Sequence, residues 1–106
     1  MKVKHIVLMK FKHHCPSQQI ANCFAELAGL TQQLEGIEHF SCGEYSSPEN
    51  LNRGFTHAFE MIFKDEKARD NYLIAPAHVK VANQLIALVD KENNELQLVA
   101  FDYLLS

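Results

Sequence analysis

The sequence predicts an α+β fold of the ferredoxin-like type, with the order β-α-β-β-α-β and a four-stranded antiparallel sheet. Four segments alternate their side chains with the period of a strand, and the segments between them repeat apolar residues every three or four positions, as helices do. The chain has 106 residues, of which 47% are hydrophobic and 22% charged. This size and composition indicate one globular domain spanning 1–106.

The first strand is predicted from Val3 to Phe11, with its odd-numbered residues on one face and Ile6 and Leu8 on the other. A helix is predicted to open at Pro16-Ser17, because apolar residues then recur at helical spacing. These residues are Ile20, Phe24, Leu27, Leu30 and Leu34. Gly36 is expected to end the helix, since glycine readily adopts the left-handed conformation found at helix ends.

The second strand is predicted from about Ile37 to Tyr45, followed by a polar, turn-rich loop over 46–54. The third strand is predicted from Phe55 to Phe63. One of its faces carries Phe55, His57, Phe59, Met61 and Phe63, so this face must be buried.

The next helix is predicted to begin after Asp65, whose carboxylate suits a helix N-cap. Ala75-Pro76 interrupts it, because the residue before a proline avoids the helical conformation. A new helix then starts with Pro76 in its first turn and continues as an apolar stripe to Val89. The last strand is predicted from Leu96 to Leu104.

The face of the sheet that lacks helices, called the open face below, is unusually apolar. It is predicted to carry Ile6, Leu8, Ala58, Ile62 and one face of the last strand. Because large exposed apolar patches mark interfaces, we expect a homodimer in which two open faces pack about a two-fold axis.

Charge and composition exclude several classes of function. Ten Lys and Arg against thirteen Asp and Glu give a net charge of −3, so a nucleic-acid partner is not expected. No apolar run has the length of a membrane span, and the N-terminus lacks the pattern of a signal peptide. Cys15, Cys23 and Cys42 form no metal-binding or redox motif, and we expect free thiols in a cytoplasmic protein.

Histidine is the distinctive residue, with six in the chain. His5 and His57 occupy the strand faces assigned to the helices, and His78 lies in the first turn after Pro76. If the first and third strands are neighbours, these imidazoles converge with Tyr72 in an apolar pocket, which is the layout of a small-molecule site. The predicted pocket lining comprises Met9, Leu27, Phe55, Phe59 and Val79.

Two other interpretations of the histidines remain open. The polar groups satisfy one another within the core, or three imidazoles bind a metal such as zinc. No close His-x-His spacing supports a metal site, so neither a metal nor another cofactor is expected.

Several stretches have the order and spacing of a known family. They are Val3-Lys4-His5-Ile6-Val7-Leu8-Met9-Lys10-Phe11-Lys12, Ser47-Pro48-Glu49-Asn50, Gly54-Phe55-Thr56-His57, Tyr72-Leu73, Pro76-Ala77-His78-Val79 and Phe101-Asp102-Tyr103. The chain resembles the stress-responsive A/B barrel family, the Dabb domains of the dimeric α+β barrel superfamily. This resemblance implies a homodimer whose two sheets form a shared barrel. It does not imply one activity, because most members have none assigned.

Plant polyketide cyclases of this family have pocket residues that match His5, His57, Tyr72 and His78. The resemblance implies that His78 acts as a general base beside a carbonyl, with Tyr72 as its partner. The chain departs from these cyclases at Leu27, where they have tyrosine. We therefore expect a homodimer that binds a small apolar carbonyl-bearing molecule, and the alternative is a cofactor-independent lyase or isomerase resembling the cyclases.

Overall fold

The computed structural model describes all residues from Met1 to Ser106 and has the predicted α+β architecture. Its elements are β1 (Val3–Met9), α1 (Ser17–Gln33), β2 (Ile37–Glu44), β3 (His57–Phe63), α2 (Glu66–Ile74), α3 (Pro76–Leu88), β4 (Lys91–Glu92), β5 (Glu95–Leu96) and β6 (Leu98–Leu104). Four strands form an antiparallel sheet in the order β2-β3-β1-β6, and β4 and β5 form a separate hairpin. The predicted ferredoxin-like fold is therefore confirmed.

The core lies between the sheet and the helices. Burial alternates strictly along β1, where every odd-numbered residue is buried, and β3 continues the same layer from Phe59 to Phe63. The helices contribute Cys23, Phe24, Leu27, Leu30, Ala68, Tyr72, Val81 and Leu85. The predicted phases of the first and third strands are thus confirmed.

The connection between α2 and α3 is a single extended residue. Ala75 has φ −65° and ψ 132°, as expected for a residue before proline, and Pro76 opens α3. Asp65 caps α2 as predicted, because its carboxylate accepts a hydrogen bond of 2.8 Å from the Ala68 backbone N–H. The sharp break brings the last turn of α2 close to the first turn of α3.

Three predicted strand boundaries are wrong by two residues. β1 stops at Met9, and Phe11 makes only an isolated bridge with Val89. β3 begins at His57 rather than at Phe55. The last strand begins at Leu98, because residues 91–96 fold into the β4-β5 hairpin.

The hairpin turn is made by two asparagines. Asn93 and Asn94 both have positive φ, at 54° and 65°, which is the conformation of a tight two-residue hairpin turn. Asparagine tolerates this region better than most residues do. The apolar pattern does not predict this hairpin. The Asn93-Asn94 pair is the sequence signal that could have indicated it.

No helix covers the open face in this chain. The register places Ile6, Leu8, Ala58 and Ile62 beside Val99, Phe101 and Tyr103 of β6 on this side of the sheet. Phe101 is 62% exposed, which is high for a phenylalanine. In the middle of the face, Glu60 lies opposite Ile6 and pairs with Lys4 at 3.6 Å and with His39 at 3.4 Å. The predicted apolar surface is therefore present.

None of the helices has both the length and the apolar character that crossing a bilayer requires.

We predict that Gly36→Ala destabilises the protein. Gly36 has φ +91°, and an added Cβ would lie 2.6 Å from Cβ of Ala68, so the variant combines backbone strain with a clash. The expected loss in the free energy of unfolding is about 1–3 kcal/mol, measured by urea denaturation.

Gly43→Ala is the matched control. Gly43 has no positive φ, and an added Cβ there meets no atom within 4 Å. We expect little change in stability for this variant. Equal losses for the two variants would contradict the structural role assigned to Gly36.

Candidate functional site

An apolar cavity of about 190 Å³ lies between the sheet, α2 and α3. It is called the histidine cavity below. Its lining comprises His5, Val7, Leu27, Phe59, Tyr72, Leu73, His78, Ala82, Leu85, Ile86, Leu98 and Ala100. The volume lies below the ~300 Å³ at which pockets for drug-sized ligands begin, so the cavity suits a small molecule or one end of a larger molecule.

His5 is buried, with 6% of its surface exposed, and no other His, Lys, Arg, Asp or Glu side chain is buried. Its Nδ1 lies 2.5 Å from Oδ1 of Asp102, the residue directly opposite it on β6. A carboxylate only accepts hydrogen bonds, so Nδ1 carries the proton and donates it. In the neutral ring, Nε2 then keeps a free lone pair.

Asp102 is held by a second partner. Its Oδ2 accepts a hydrogen bond of 3.0 Å from Nη1 of Arg69 on α2. The guanidinium of Arg69 also contacts Asp70 at 2.8 Å and Glu66 at 3.8 Å. The His5–Asp102–Arg69 network therefore joins β1, β6 and α2 and provides the partner that a buried imidazole requires.

Tyr72 places an unpaired hydroxyl inside the protein. Its oxygen is fully buried and has no hydrogen-bond partner. Burial raises the pKa of this phenol, and the negative charge of Asp102 adds to the effect, so the hydroxyl stays protonated. A buried polar group without a partner costs about 1–3 kcal/mol, which suggests a function for Tyr72 beyond packing.

His78 stacks against Tyr72. The two ring centroids are 4.0 Å apart with an interplanar angle of 38°. Nδ1 of His78 lies 3.2 Å from the backbone oxygen of Leu73, and because a carbonyl only accepts, Nδ1 must be the donor. The ring therefore has its proton on Nδ1, and Nε2 is left as an acceptor.

The environment of His78 favours its neutral form. Burial lowers its pKa below the ordinary value of 6.5; the hydrogen bond to the Leu73 carbonyl acts in the opposite direction, and the neighbouring His5 lowers the pKa further. At neutral pH the ring thus offers a lone pair. A neutral imidazole beside a phenol donor is able to remove a proton from a molecule whose carbonyl oxygen accepts from the phenol.

The structure brings three of the four predicted polar residues together. His5, Tyr72 and His78 all line the histidine cavity, as do Leu27 and Phe59 from the predicted lining. The ring of His5 lies 6.0 Å from the rings of both Tyr72 and Phe59. This convergence comes from three separate elements and from the break between α2 and α3.

The predicted convergence is wrong for His57. His57 pairs with Met9 and His5 with Met61, four residues apart along β3, which corresponds to about 13 Å of strand. Nδ1 of His57 instead contacts Oγ1 of Thr56 at 2.8 Å, and its ring packs against Phe11 at 4.9 Å. Burial there lowers its pKa, which the nearby Glu44 partly offsets.

Three other predicted lining residues lie outside the histidine cavity. Met9 is fully buried in the core beside His57. Phe55 lines a separate groove on that side of the molecule. Val79 is exposed, because one step of a helix turns it about 100° away from His78.

The metal interpretation also fails on geometry. It required three imidazoles in one place, and His57 lies apart from His5 and His78. No group of three His, Cys, Asp or Glu side chains is arranged to hold a metal ion.

Two residues that organise the site were not predicted as site residues. Asp102 had a sequence signal, since it is an acidic residue with the same parity as the apolar Leu98 and Ala100, and the structure turns this face of β6 toward the helices. Arg69 had none, because a charged residue on a surface helix is ordinary. Only the docking of α2 on the sheet brings Arg69 to Asp102.

This fold and site define a class of protein, the ferredoxin-like α+β proteins with a histidine-lined cavity between sheet and helices. The chain matches the family model for the Stress Responsive A/B Barrel Domain, Dabb, over residues 3–105. It therefore belongs to this family, as the sequence motifs indicated.

Two relatives illustrate the range of the family. The chain is 35% identical over 89 residues to the stress-response A/B barrel domain-containing protein HS1 of Arabidopsis thaliana, covering 84% of this chain and 82% of the relative. It is 27% identical over 103 residues to olivetolic acid cyclase of Cannabis sativa, covering 97% and 96%. Some relatives are therefore enzymes.

Solved structures share the fold. A hydroxynitrile lyase from Passiflora edulis has a TM-score of 0.87 at 23% identity, covering 99% of this chain and 94% of the lyase. A protein from Jannaschia sp. CCS1, described as dimeric and ferredoxin-like, also has a TM-score of 0.87, at 22% identity, covering 99% and 100%. At these identities the similarity concerns the fold alone.

We predict that Tyr72→Phe leaves the ligand-free protein as stable as the wild type or stabilises it by about 1 kcal/mol. The substitution removes a buried hydroxyl that has no partner, so no hydrogen bond is lost. Urea denaturation of both proteins at the same concentration measures the effect.

Tyr45→Phe is the matched control, because the Tyr45 hydroxyl accepts a hydrogen bond of 2.9 Å from the Asn50 backbone N–H. We expect this variant to lose about 0.5–1.5 kcal/mol. A loss of that size for Tyr72→Phe would mean that its hydroxyl has a structural partner after all.

Proposed function

We propose that the protein is a homodimer that binds a small apolar molecule bearing a carbonyl group in the histidine cavity. The observation that carries this proposal is the buried Tyr72 hydroxyl, which is protonated and has no acceptor within the chain. A carbonyl oxygen of a ligand would accept its hydrogen bond. The apolar lining favours a ligand whose remaining atoms are hydrocarbon or aromatic.

The mouth of the histidine cavity is also apolar. Leu73 and Ile86 line the cavity and are more than two-fifths exposed, and Ile74, the residue after Leu73 in the chain, is 77% exposed. An apolar ligand would therefore lose its hydration shell in steps, first against these exposed side chains and then inside the cavity. A ligand longer than the cavity would keep its tail against this rim.

The open face supports the homodimer. It presents Val99, Phe101 and Tyr103 to solvent on a sheet that has helices on its other side only. Burial of each apolar residue in a partner contributes about 1.5–3 kcal/mol, and a second copy supplies a surface of matching shape. The dimeric description of structural neighbours agrees with this arrangement.

A cyclase-like or lyase-like activity is the second candidate. It is favoured by the neutral His78 ring stacked on Tyr72, since these groups suit removal of a proton next to a carbonyl. The relatives named olivetolic acid cyclase and hydroxynitrile lyase are consistent with such chemistry on this fold. Leu27, where plant cyclases of the family have tyrosine, leaves this chain with one polar group fewer in the cavity.

Binding is tested with acetophenone and 3′-hydroxyacetophenone as probes, followed through the ring nitrogens of His78 by long-range ¹H–¹⁵N NMR. We expect concentration-dependent shifts of Nε2 in the wild type. In Tyr72→Phe we expect the affinity to fall about tenfold, because a buried hydrogen bond to the probe is lost. Tyr45→Phe, altered outside the cavity, should bind as the wild type does.

Wild-type shifts that stay at baseline over the whole probe series would overturn the binding proposal. Turnover is tested separately by exchange of the acetophenone methyl protons in D₂O. Exchange that His78→Ala abolishes supports the enzyme. Exchange at the rate seen in buffer alone would contradict the proposed enzymatic activity and leave binding as the function.

For the dimer, we predict that Phe101→Glu converts the protein to a monomer. The substitution would bury a carboxylate in an apolar interface, which costs several kcal/mol. Sedimentation equilibrium should give twice 12.1 kDa for the wild type and 12.1 kDa for the variant. Ile74→Glu, at an exposed apolar site on α2, is the control and should stay dimeric. A wild-type mass of 12.1 kDa at all concentrations would contradict the proposal.

A further inference from the structure

We propose that Asp102, supported by Arg69, is a positioning residue that fixes His5 with its proton on Nδ1, so that Nε2 of His5 is a second proton acceptor in the histidine cavity. This inference rests on the proposed function, because it adds to the same site. It extends the site from the Tyr72–His78 pair to a set of two acceptors and one donor.

The first argument is the geometry of the pair. His5 and Asp102 face each other in the register of two neighbouring strands, so the backbone itself brings the side chains together on one side of the sheet. The 2.5 Å contact uses Nδ1. The partner of one ring nitrogen decides the state of the other, and an acceptor at Nδ1 places the lone pair of the neutral ring on Nε2.

The second argument is that the carboxylate is itself held. Oδ1 of Asp102 contacts His5 while Oδ2 accepts from Arg69 at 3.0 Å, so both oxygens are engaged and the carboxylate cannot rotate away without losing a bond. A partner in this outer position keeps an imidazole in one orientation.

The third argument concerns access to Nε2. Nδ1 of His5 is engaged by Asp102, whereas Nε2 of His5 has no hydrogen-bond partner within the chain. His5 lines the histidine cavity, which supplies space for such a partner.

The two histidines are arranged alike around the phenol. Each has a donor Nδ1, bound to Asp102 in one case and to the Leu73 carbonyl in the other. The Tyr72 ring lies 4.0 Å from that of His78 and 6.0 Å from that of His5. Two acceptors and one donor suit a carbonyl compound that also carries a free hydroxyl, so the site should prefer 3′-hydroxyacetophenone, whose hydroxyl cannot reach its own carbonyl, to acetophenone.

The test measures the ring nitrogens of His5 by long-range ¹H–¹⁵N NMR at about pH 8, above the ordinary pKa of histidine. In the ligand-free wild type we expect the pattern of a neutral ring protonated on Nδ1. In Asp102→Ala we expect the proton to move to Nε2. Asp70→Ala is the matched control, since Asp70 contacts Arg69 but not His5, and its His5 spectrum should match the wild type.

The second readout separates positioning from a purely structural role. We expect 3′-hydroxyacetophenone to shift Nε2 of both His5 and His78 in the wild type. Asp102→Ala should weaken binding of this probe about tenfold, whereas Asp70→Ala should change it less than twofold. A structural Asp102 would alter stability but not the affinity of the folded protein.

The outcomes are distinguishable. A wild-type His5 that carries its proton on Nε2, or on both nitrogens, overturns the inference without any variant. Probe shifts at His78 with none at His5 overturn the inference and leave the proposed function standing. Shifts at neither ring overturn the proposed function and, with it, the role of His5 as an acceptor.

Discussion

The pairing of one buried imidazole is the constraint on which the rest of the site depends. His5 occupies the middle of the central strand, where neighbouring residues of the same face are apolar. An unpaired polar group there costs several kcal/mol, so the residue requires Asp102, and Asp102 in turn is held by Arg69. One strand position therefore fixes the relation between β1, the edge strand β6 and α2.

A second constraint comes from the break between α2 and α3. Ala75 turns the chain within one residue, so Tyr72 and His78, six positions apart in sequence, stack at 4.0 Å. A continuous helix would separate them by nearly two turns along its axis. The break thus provides a phenol donor and a neutral imidazole at the edge of the same cavity, and the unpaired hydroxyl is the stability cost of keeping that donor available.

The two faces of the sheet have different uses. The helix-covered face contains the core and the histidine cavity, whereas the open face is apolar without cover in a single chain. Strands that are apolar on both faces normally lie between two layers. Membership of the Dabb family and the dimeric description of a structural neighbour agree with a partner as the missing layer. His39, Glu60 and Lys4 place an ion-pair cluster within that face.

The sequence by itself determined the features that depend on local patterns. Alternation in β1 and β3 gave the buried face, Asp65 and Ala75-Pro76 gave the start of α2 and the break after it, and the motifs gave the family. Tertiary structure alone decided which polar residues meet. Periodicity predicts which face of the sheet a side chain occupies, but not its position along the strand direction. From the sequence, His57 is therefore predicted to lie with His5, although the register of β1 and β3 separates them by four residues. The contact of Arg69 with Asp102 depends on how a helix docks against a strand 33 residues later in the chain, and no local pattern contains that information.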